Sequence, residues 1–211
     1  MKYKYLFWDN DGVLVDTEKV YMQACRETLK TVGYDLTDEE FQDVSLHKGH
    51  SVFDLVDGLT MEKKDQMRYD RDELYTNLLK QGVEPLPGVV EVLEALHGKI
   101  PMCIVTSSKK EHYYTIHEQT GLLKYFEFVL AREDFVESKP NPEPYLKAQD
   151  KAKVFASDGL AFEDSSRGML SAKRSGLDCF VLPNPLSANA DFSAADKVLN
   201  SHSEILTALG L

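Results

Sequence analysis

The chain lacks an excess of positive charge, closely spaced cysteines and any long apolar run, and each absence removes a class of function. Its 211 residues carry a formal net charge of −11. A nucleic-acid backbone or an anionic membrane is therefore not an expected partner. An acidic protein that handles an anionic substrate must instead concentrate its cations locally. Cys25, Cys103 and Cys179 lie too far apart for a Cys-x-x-Cys site, and the last two sit inside apolar runs. They read as small buried hydrophobes, which fits a reducing compartment. The first apolar run stops at Asp9, so no signal-peptide pattern forms, and nothing approaches the ~18 apolar residues of a membrane span. The expectation is a cytoplasmic protein, a monomer by default. No internal repeat or low-complexity tract is visible.

What is present is an ordinary globular composition, 43% apolar and 28% charged, in a chain long enough for a core domain plus a small one. Short apolar runs recur at 5–8, 100–106, 126–131, 159–162, 179–182 and, weakly, 197–199. Amphipathic helical patterns fill the gaps: 89–96 closed by Gly98, 109–120 closed by Gly121, and 166–175 closed by Gly176. Ser201-His202-Ser203-Glu204 reads as a capping box opening the last helix. This alternation predicts an α/β fold, a mostly parallel sheet covered by helices on both faces. Residues 17–83 break the rhythm. Val20, Ala24, Thr28 and Val32 mark a helical face, Thr37-Asp38-Glu39-Glu40 is a second capping box, and further helices are expected over 52–59 and 61–79, the last largely exposed. The expected organisation is a discontinuous core of 1–16 and 84–211 with an all-helical insertion at 17–83.

The first apolar run leads directly into Asp9-Asn10-Asp11-Gly12-Val13-Leu14-Val15-Asp16-Thr17. Two carboxylates ~4 Å apart repel by about 4 kcal/mol at an effective dielectric of ~20. A divalent cation or a positioned proton is the usual remedy. Asp-Gly between apolar stretches also fits a hairpin, with 13–15 as the returning strand. Three further segments bear on the choice, since sites in open α/β sheets form beyond the carboxyl ends of the strands. Val105-Thr106-Ser107-Ser108 places hydroxyls and free amides before a helix, which suits a phosphate but also an ordinary N-cap. Prolines around Lys139 stiffen its loop and hold a cation in place. Glu163-Asp164-Ser165-Ser166-Arg167-Gly168 puts two more acids after an apolar run. Together they form an oxygen-rich pocket suited to Mg²⁺ and a substrate phosphate.

On these motifs the chain resembles the haloacid dehalogenase superfamily, in the helical-cap subgroup that contains beta-phosphoglucomutase and sugar-phosphate phosphatases. The resemblance covers nearly the whole chain, and the Asp-x-Asp-Gly-Val-Leu-x-Asp-Thr signature is its most specific part. It implies a Rossmann-like core with an inserted helical cap. It also implies Asp9 as the nucleophile that forms an aspartyl-phosphate, and Asp11 as general acid and then base. Mg²⁺ would be held by Asp9, the Asp11 main-chain carbonyl and Asp164, with Glu163 acting through bound water. Thr106 and the Ser107 amide would hold phosphoryl oxygens, and Lys139 would neutralise Asp9 and the transferring group. The implied activity is Mg²⁺-dependent hydrolysis of a small phosphorylated metabolite, a sugar phosphate among the candidates.

The chain departs from the subgroup in three places. Asn10 stands where an apolar residue is usual, and its side chain is expected to point away from the pocket. Tyr21 replaces the histidine of the mutases, and the loop Lys48-Gly49-His50-Ser51-Val52 carries no arginine. Without those cap groups hydrolysis is expected over mutase chemistry, with Lys48 and His50 left as candidate substrate contacts. A hexose-phosphate mutase and a phospho-Asp signalling protein without turnover are the alternatives; receiver domains share the acids and the Lys-Pro step but have no helical insertion.

Overall fold

Tyr5–Trp8 (β1) is a continuous apolar run because both faces of the strand are covered. Leu6 and Trp8 enter one core cluster, Tyr5 and Phe7 the other. The structure, a computed structural model, describes residues 2–211. Five more strands follow: β2 (Met102–Val105), β3 (Phe128–Leu130), β4 (Gly159–Glu163), β5 (Asp178–Val181) and β6 (Lys197–Val198). They form one sheet in the order β3-β2-β1-β4-β5-β6 with every neighbouring pair parallel. On one face, α4 (Val89–Leu96), α5 (Lys110–Thr120) and α8 (Glu204–Leu209) pack over Leu6, Trp8 and Phe162. On the other, α6 (Glu143–Ala152) and α7 (Ser166–Arg174) pack over Phe7, Ala161 and Cys179. Trp8 stacks on Phe162 with ring centroids 4.2 Å apart, and truncating such a buried ring costs about 3–5 kcal/mol. All three cysteines are free and buried.

Between β1 and β2 the chain is helical: α1 (Glu18–Lys30), α2 (Asp38–Phe41), a π-helical turn Gln42–His47, a 3₁₀ turn Val52–Leu55 and α3 (Met61–Leu79). Cys25, Leu29, Phe41, Phe53 and Met67 form an apolar cluster of their own. Tyr75 and Leu79, further along α3, and Ala24 of α1 belong to the cluster of the sheet, so these two helices tie the insertion to the core. Thr37 makes the expected capping box with Glu40.

Several sequence expectations are corrected. The segment 52–59 holds only a single 3₁₀ turn, because Val56 is extended and Gly58 takes φ 77°. Ser201 caps nothing: it bonds the Ser203 hydroxyl, while the Glu204 carboxylate accepts from the Asn200 amide. Helix α6 was not expected, since its prolines read as loop markers; Pro144 sits in its first turn, where a missing N–H is harmless. Residues 13–15 are not a returning strand. Their three amides all converge on the Asn10 carbonyl at 2.8–3.3 Å, closing a tight loop whose side chains enter the core. No helix among the described residues is long and apolar enough to cross a membrane.

Candidate active site

Strand β1 lies where the chain departs to opposite sides, β2 on one flank and β4 on the other. Crevices at such a switch point, beyond the carboxyl ends, are where open α/β sheets place their sites. Asp9 leaves β1 and Glu163 ends β4, while Lys139 arrives from the loop before α6. The Lys139 ammonium, 4% exposed, lies 2.9 Å from Asp9 Oδ1 and 2.6 Å from Glu163 Oε1, and donates to the Val105 carbonyl at 2.8 Å. Tyr145 donates to the same Glu163 oxygen at 2.5 Å. Asp9, Glu163 and Asp164 each offer a carboxylate oxygen within 4.8 Å of the others.

Three buried acids against one buried lysine leave negative charge uncompensated, which shifts their protonation equilibria. Burial, then Glu163, pushes Asp9 up to about 8 against the pull of Lys139. Burial, then Glu18, then Asp9 hold Asp164 well above the usual carboxylate range. Burial draws Lys139 down, but Asp9 and Glu163 outweigh it and leave it raised. Glu163 Oε2 is buried with no hydrogen-bond partner. A set of hard oxygens with excess negative charge fits Mg²⁺. Glu163 Oε1 is committed to Lys139 and Tyr145, which leaves Oε2 as the oxygen free for the water-mediated role expected from sequence.

Two motif glycines make room for these acids. A Cβ on Gly168 would fall 1.9 Å from Glu163 Oε2, and one on Gly12, at φ 80°, would fall 2.0 Å from Asp164 Oδ2. Asp11 is held by three hydroxyls: Thr17 at 2.5 Å, Ser108 at 2.7 Å and Thr106 at 3.2 Å. Thr106 is fully buried and turned to Asp11, accepting also from the Ser108 amide at 3.0 Å, so its hydroxyl does not face the cleft as expected. Ser107 does line the cleft, with a buried and unpartnered hydroxyl.

Sequence reasoning missed Ser108, Tyr145, Glu18 and Asn184. The Asn184 amide donates to Asp164 Oδ2 at 2.7 Å and to Glu18 Oε2 at 2.6 Å, bridging a buried acid and a half-buried one. Burial raises Glu18 to about 7, opposed by that same hydrogen bond. Ser108 was within reach, since it adjoins Ser107; a lone Asn after β5 carries no spacing signal. Asn10 points away from the pocket, as expected, but into a polar pair: its Oδ1 lies 2.8 Å from His117 Nε2 on α5, whose Nδ1 meets the Thr120 hydroxyl at 2.8 Å. Burial lowers His117 to about 4, so the ring is neutral. The pair ties the Asp9–Asp11 turn to α5.

The site opens into a cleft of about 530 Å³ walled on the far side by the helical insertion. His50 lines it, but Lys48 is paired to Asp43 at 2.6 Å and takes no part in the lining. Tyr21 faces the cleft, its hydroxyl accepting from Arg71 at 2.5 Å. Asp72 on α3 holds Arg71 at 2.7 Å and reaches across to Lys109 of the core at 2.5 Å.

Comparison with known proteins agrees with this geometry. A family model described as haloacid dehalogenase-like hydrolase matches residues 6–182. The chain is 31% identical over 215 residues to a phosphoglycolate phosphatase of Vibrio parahaemolyticus, covering 96% of this chain and 94% of that one. It is 27% identical over 179 residues to the fructose-1-phosphate phosphatase YqaB of Escherichia coli, covering 84% of this chain and 95% of that one. Among solved structures, CbbY from Rhodobacter sphaeroides in complex with phosphate superposes with a TM-score of 0.86 at 24% identity, covering 99% of this chain and all of that one. The chain belongs to the haloacid dehalogenase-like hydrolase family and is an enzyme of the phosphatase class.

Proposed function

We propose that this protein is a Mg²⁺-dependent phosphatase of small phosphorylated metabolites, sugar phosphates among them, working through a phosphorylated Asp9. The observation that carries the reading is the Lys139 ammonium set between Asp9 and Glu163 with Asp164 alongside. The names of the relatives, a fructose-1-phosphate phosphatase and a phosphoglycolate phosphatase, support the substrate class.

Phosphoryl transfer leaves a protein little beyond positioning and charge neutralisation. Asp9 attacks phosphorus along the line of the leaving oxygen, and the bond to the substrate alcohol breaks. Lys139 offsets the charge of Asp9 as the phosphate dianion approaches. Asp9, Asp164 and the Asp11 main-chain carbonyl would hold Mg²⁺ beside Glu163, where it supplies further neutralisation of the transferring group. Asp11 gives its proton to the departing alkoxide, then takes one from the water that attacks phospho-Asp9 and frees phosphate. The hydroxyls of Thr17, Thr106 and Ser108 fix its carboxyl for both steps. The Ser107 amide and hydroxyl are placed to meet phosphoryl oxygens. The insertion at 17–83 acts as a cap whose cleft face, His50 included, meets the rest of the substrate.

Phosphate release from a metabolite panel, with and without Mg²⁺, tests the assignment. Turnover is expected only with Mg²⁺, and Asp9→Asn is expected to abolish it. Bisphosphate-stimulated isomer exchange without phosphate release would instead establish the mutase alternative.

A further inference from the structure

The cleft holds more positive charge than one phosphate requires. Lys139 already faces the transferring group, yet Arg68, Arg71, Arg132 and Arg167 also line the same opening. These are four of the six arginines of a chain with net charge −11, so the concentration is local and against the overall field. Two of the four are engaged with acids of the insertion: Arg68 with Asp65 at 2.6 Å and Arg71 with Asp72 at 2.7 Å. Arg132 faces no acid within ion-pair reach but donates to the Phe135 carbonyl at 2.9 Å and lies over that ring. Arg167 has neither an ion pair nor a hydrogen bond among the described residues, and all five of its donors are unspent.

Its position is defined by the fold. Arg167 lies in the first turn of α7, three residues after Asp164, and so beside β1 on the β4 flank. The loop of the insertion passes over it at Gly49: a Cβ there would stand 3.3 Å from Arg167 Nη1 and 3.7 Å from its Cδ. The guanidinium is thus held between the catalytic edge and the insertion, at the level where the non-reacting end of a substrate must lie. A planar fork left open there matches a carboxylate or phosphate, which accepts two parallel hydrogen bonds.

We propose that Arg167 recognises a second anionic group on the substrate, a carboxylate or a further phosphoryl group, and that the enzyme selects phosphate esters carrying one. The proposal rests on the phosphatase reading and narrows its substrate class. One charge-assisted contact of this kind corresponds to roughly ten- to hundredfold in kcat/KM.

The test compares Mg²⁺-loaded wild type, Arg167→Ala and Arg167→Lys on matched ester pairs. One pair is a phosphorylated hydroxy acid and its neutral amide; the other is a sugar bisphosphate and its monophosphate. Wild type is expected to favour the member carrying the second anionic group in at least one pair by about tenfold or more. Which pair shows the preference tells carboxylate from phosphoryl. Arg167→Ala is expected to collapse that ratio towards one, mainly through KM, and Arg167→Lys to keep part of it. Equal rates within both pairs for wild type, or an undiminished ratio in both variants, would overturn the proposal while leaving a phosphatase. No turnover of any ester, p-nitrophenyl phosphate included, would overturn the reading beneath it as well.

Discussion

Gly168 illustrates how a residue without a side chain can be required by chemistry. Its Cβ position is already filled by the Glu163 carboxylate, and that carboxylate anchors Lys139. Gly168→Ala should therefore displace the Lys139 link to Asp9, reducing kcat by about tenfold or more together with a loss of stability of roughly 2 kcal/mol, the scale of a broken buried polar network. Urea unfolding and steady-state rates on the same preparation check both effects. The Asn10–His117 pair makes a different prediction. Removing one partner leaves a buried group unsatisfied, at about 1–3 kcal/mol, whereas replacing both by apolar residues is nearly neutral. Asn10→Leu should lower the midpoint of thermal unfolding by several degrees, and adding His117→Leu should recover most of the loss. Single variants as stable as wild type would remove the pair from the account. At this scale Asp9, Asp11, Lys139 and Asp164 were legible because their type and order form a motif. Asn184 and Tyr145 were not: each is a lone polar residue whose partner is 20 or 18 positions away in sequence, and no local pattern encodes that meeting.

At the scale of elements, the strands were readable because a central parallel strand must be apolar on both faces, and β1 is. Helix α6 was not readable, because Pro142 and Pro144 mark a loop or a helix start equally well. The apolar spacing over 52–59 predicts a short helix, but it says nothing of the extended Val56 or the left-handed Gly58 that limit the element to one turn at Val52–Leu55. The seam between insertion and core was invisible to sequence, yet it carries a defined contact, Lys109 of the core on Asp72 of α3 at 2.5 Å. Lys109 is half exposed, so such a pair is worth about 0–1 kcal/mol. Lys109→Gln, which removes this pair and leaves Asp72 on Arg71, should accordingly shift KM by a few-fold at most, and raising the salt concentration should erase the difference from wild type. A loss of kcat comparable to that of Asp11→Asn would show that Lys109 does more than hold the seam.

For the molecule as a whole, the acidic centre links stability to pH and, on the proposed function, to Mg²⁺. With no cation bound, burial raises Asp9 from 3.8 to about 8 and Glu18 from 4.5 to about 7. Between those values the native state binds more protons than the unfolded chain, so this contribution is fully present below about pH 4 and is lost as pH rises towards 8. Thermal unfolding in chelator should therefore show stability from these groups falling across that window. Added Mg²⁺ should stabilise more at pH 8 than at pH 5, because at the lower pH it must displace protons. A Mg²⁺ effect of equal size at both values would contradict the linkage. On kinetics, Asp11→Asn should retain slow hydrolysis of esters with good leaving groups and lose far more on alkyl esters. Equal losses on both would remove its role as proton donor.

Covalent phosphorylation of Asp9 during turnover can be trapped by rapid acid quenching. Enzyme, Mg²⁺ and a substrate labelled in its phosphoryl group are mixed, quenched within one turnover, and the protein is digested. The label should be found on the peptide containing Asp9, should be released by hydroxylamine, and should be absent from Asp9→Asn. Label on another residue, or near-normal phosphate release by Asp9→Asn, would contradict the account.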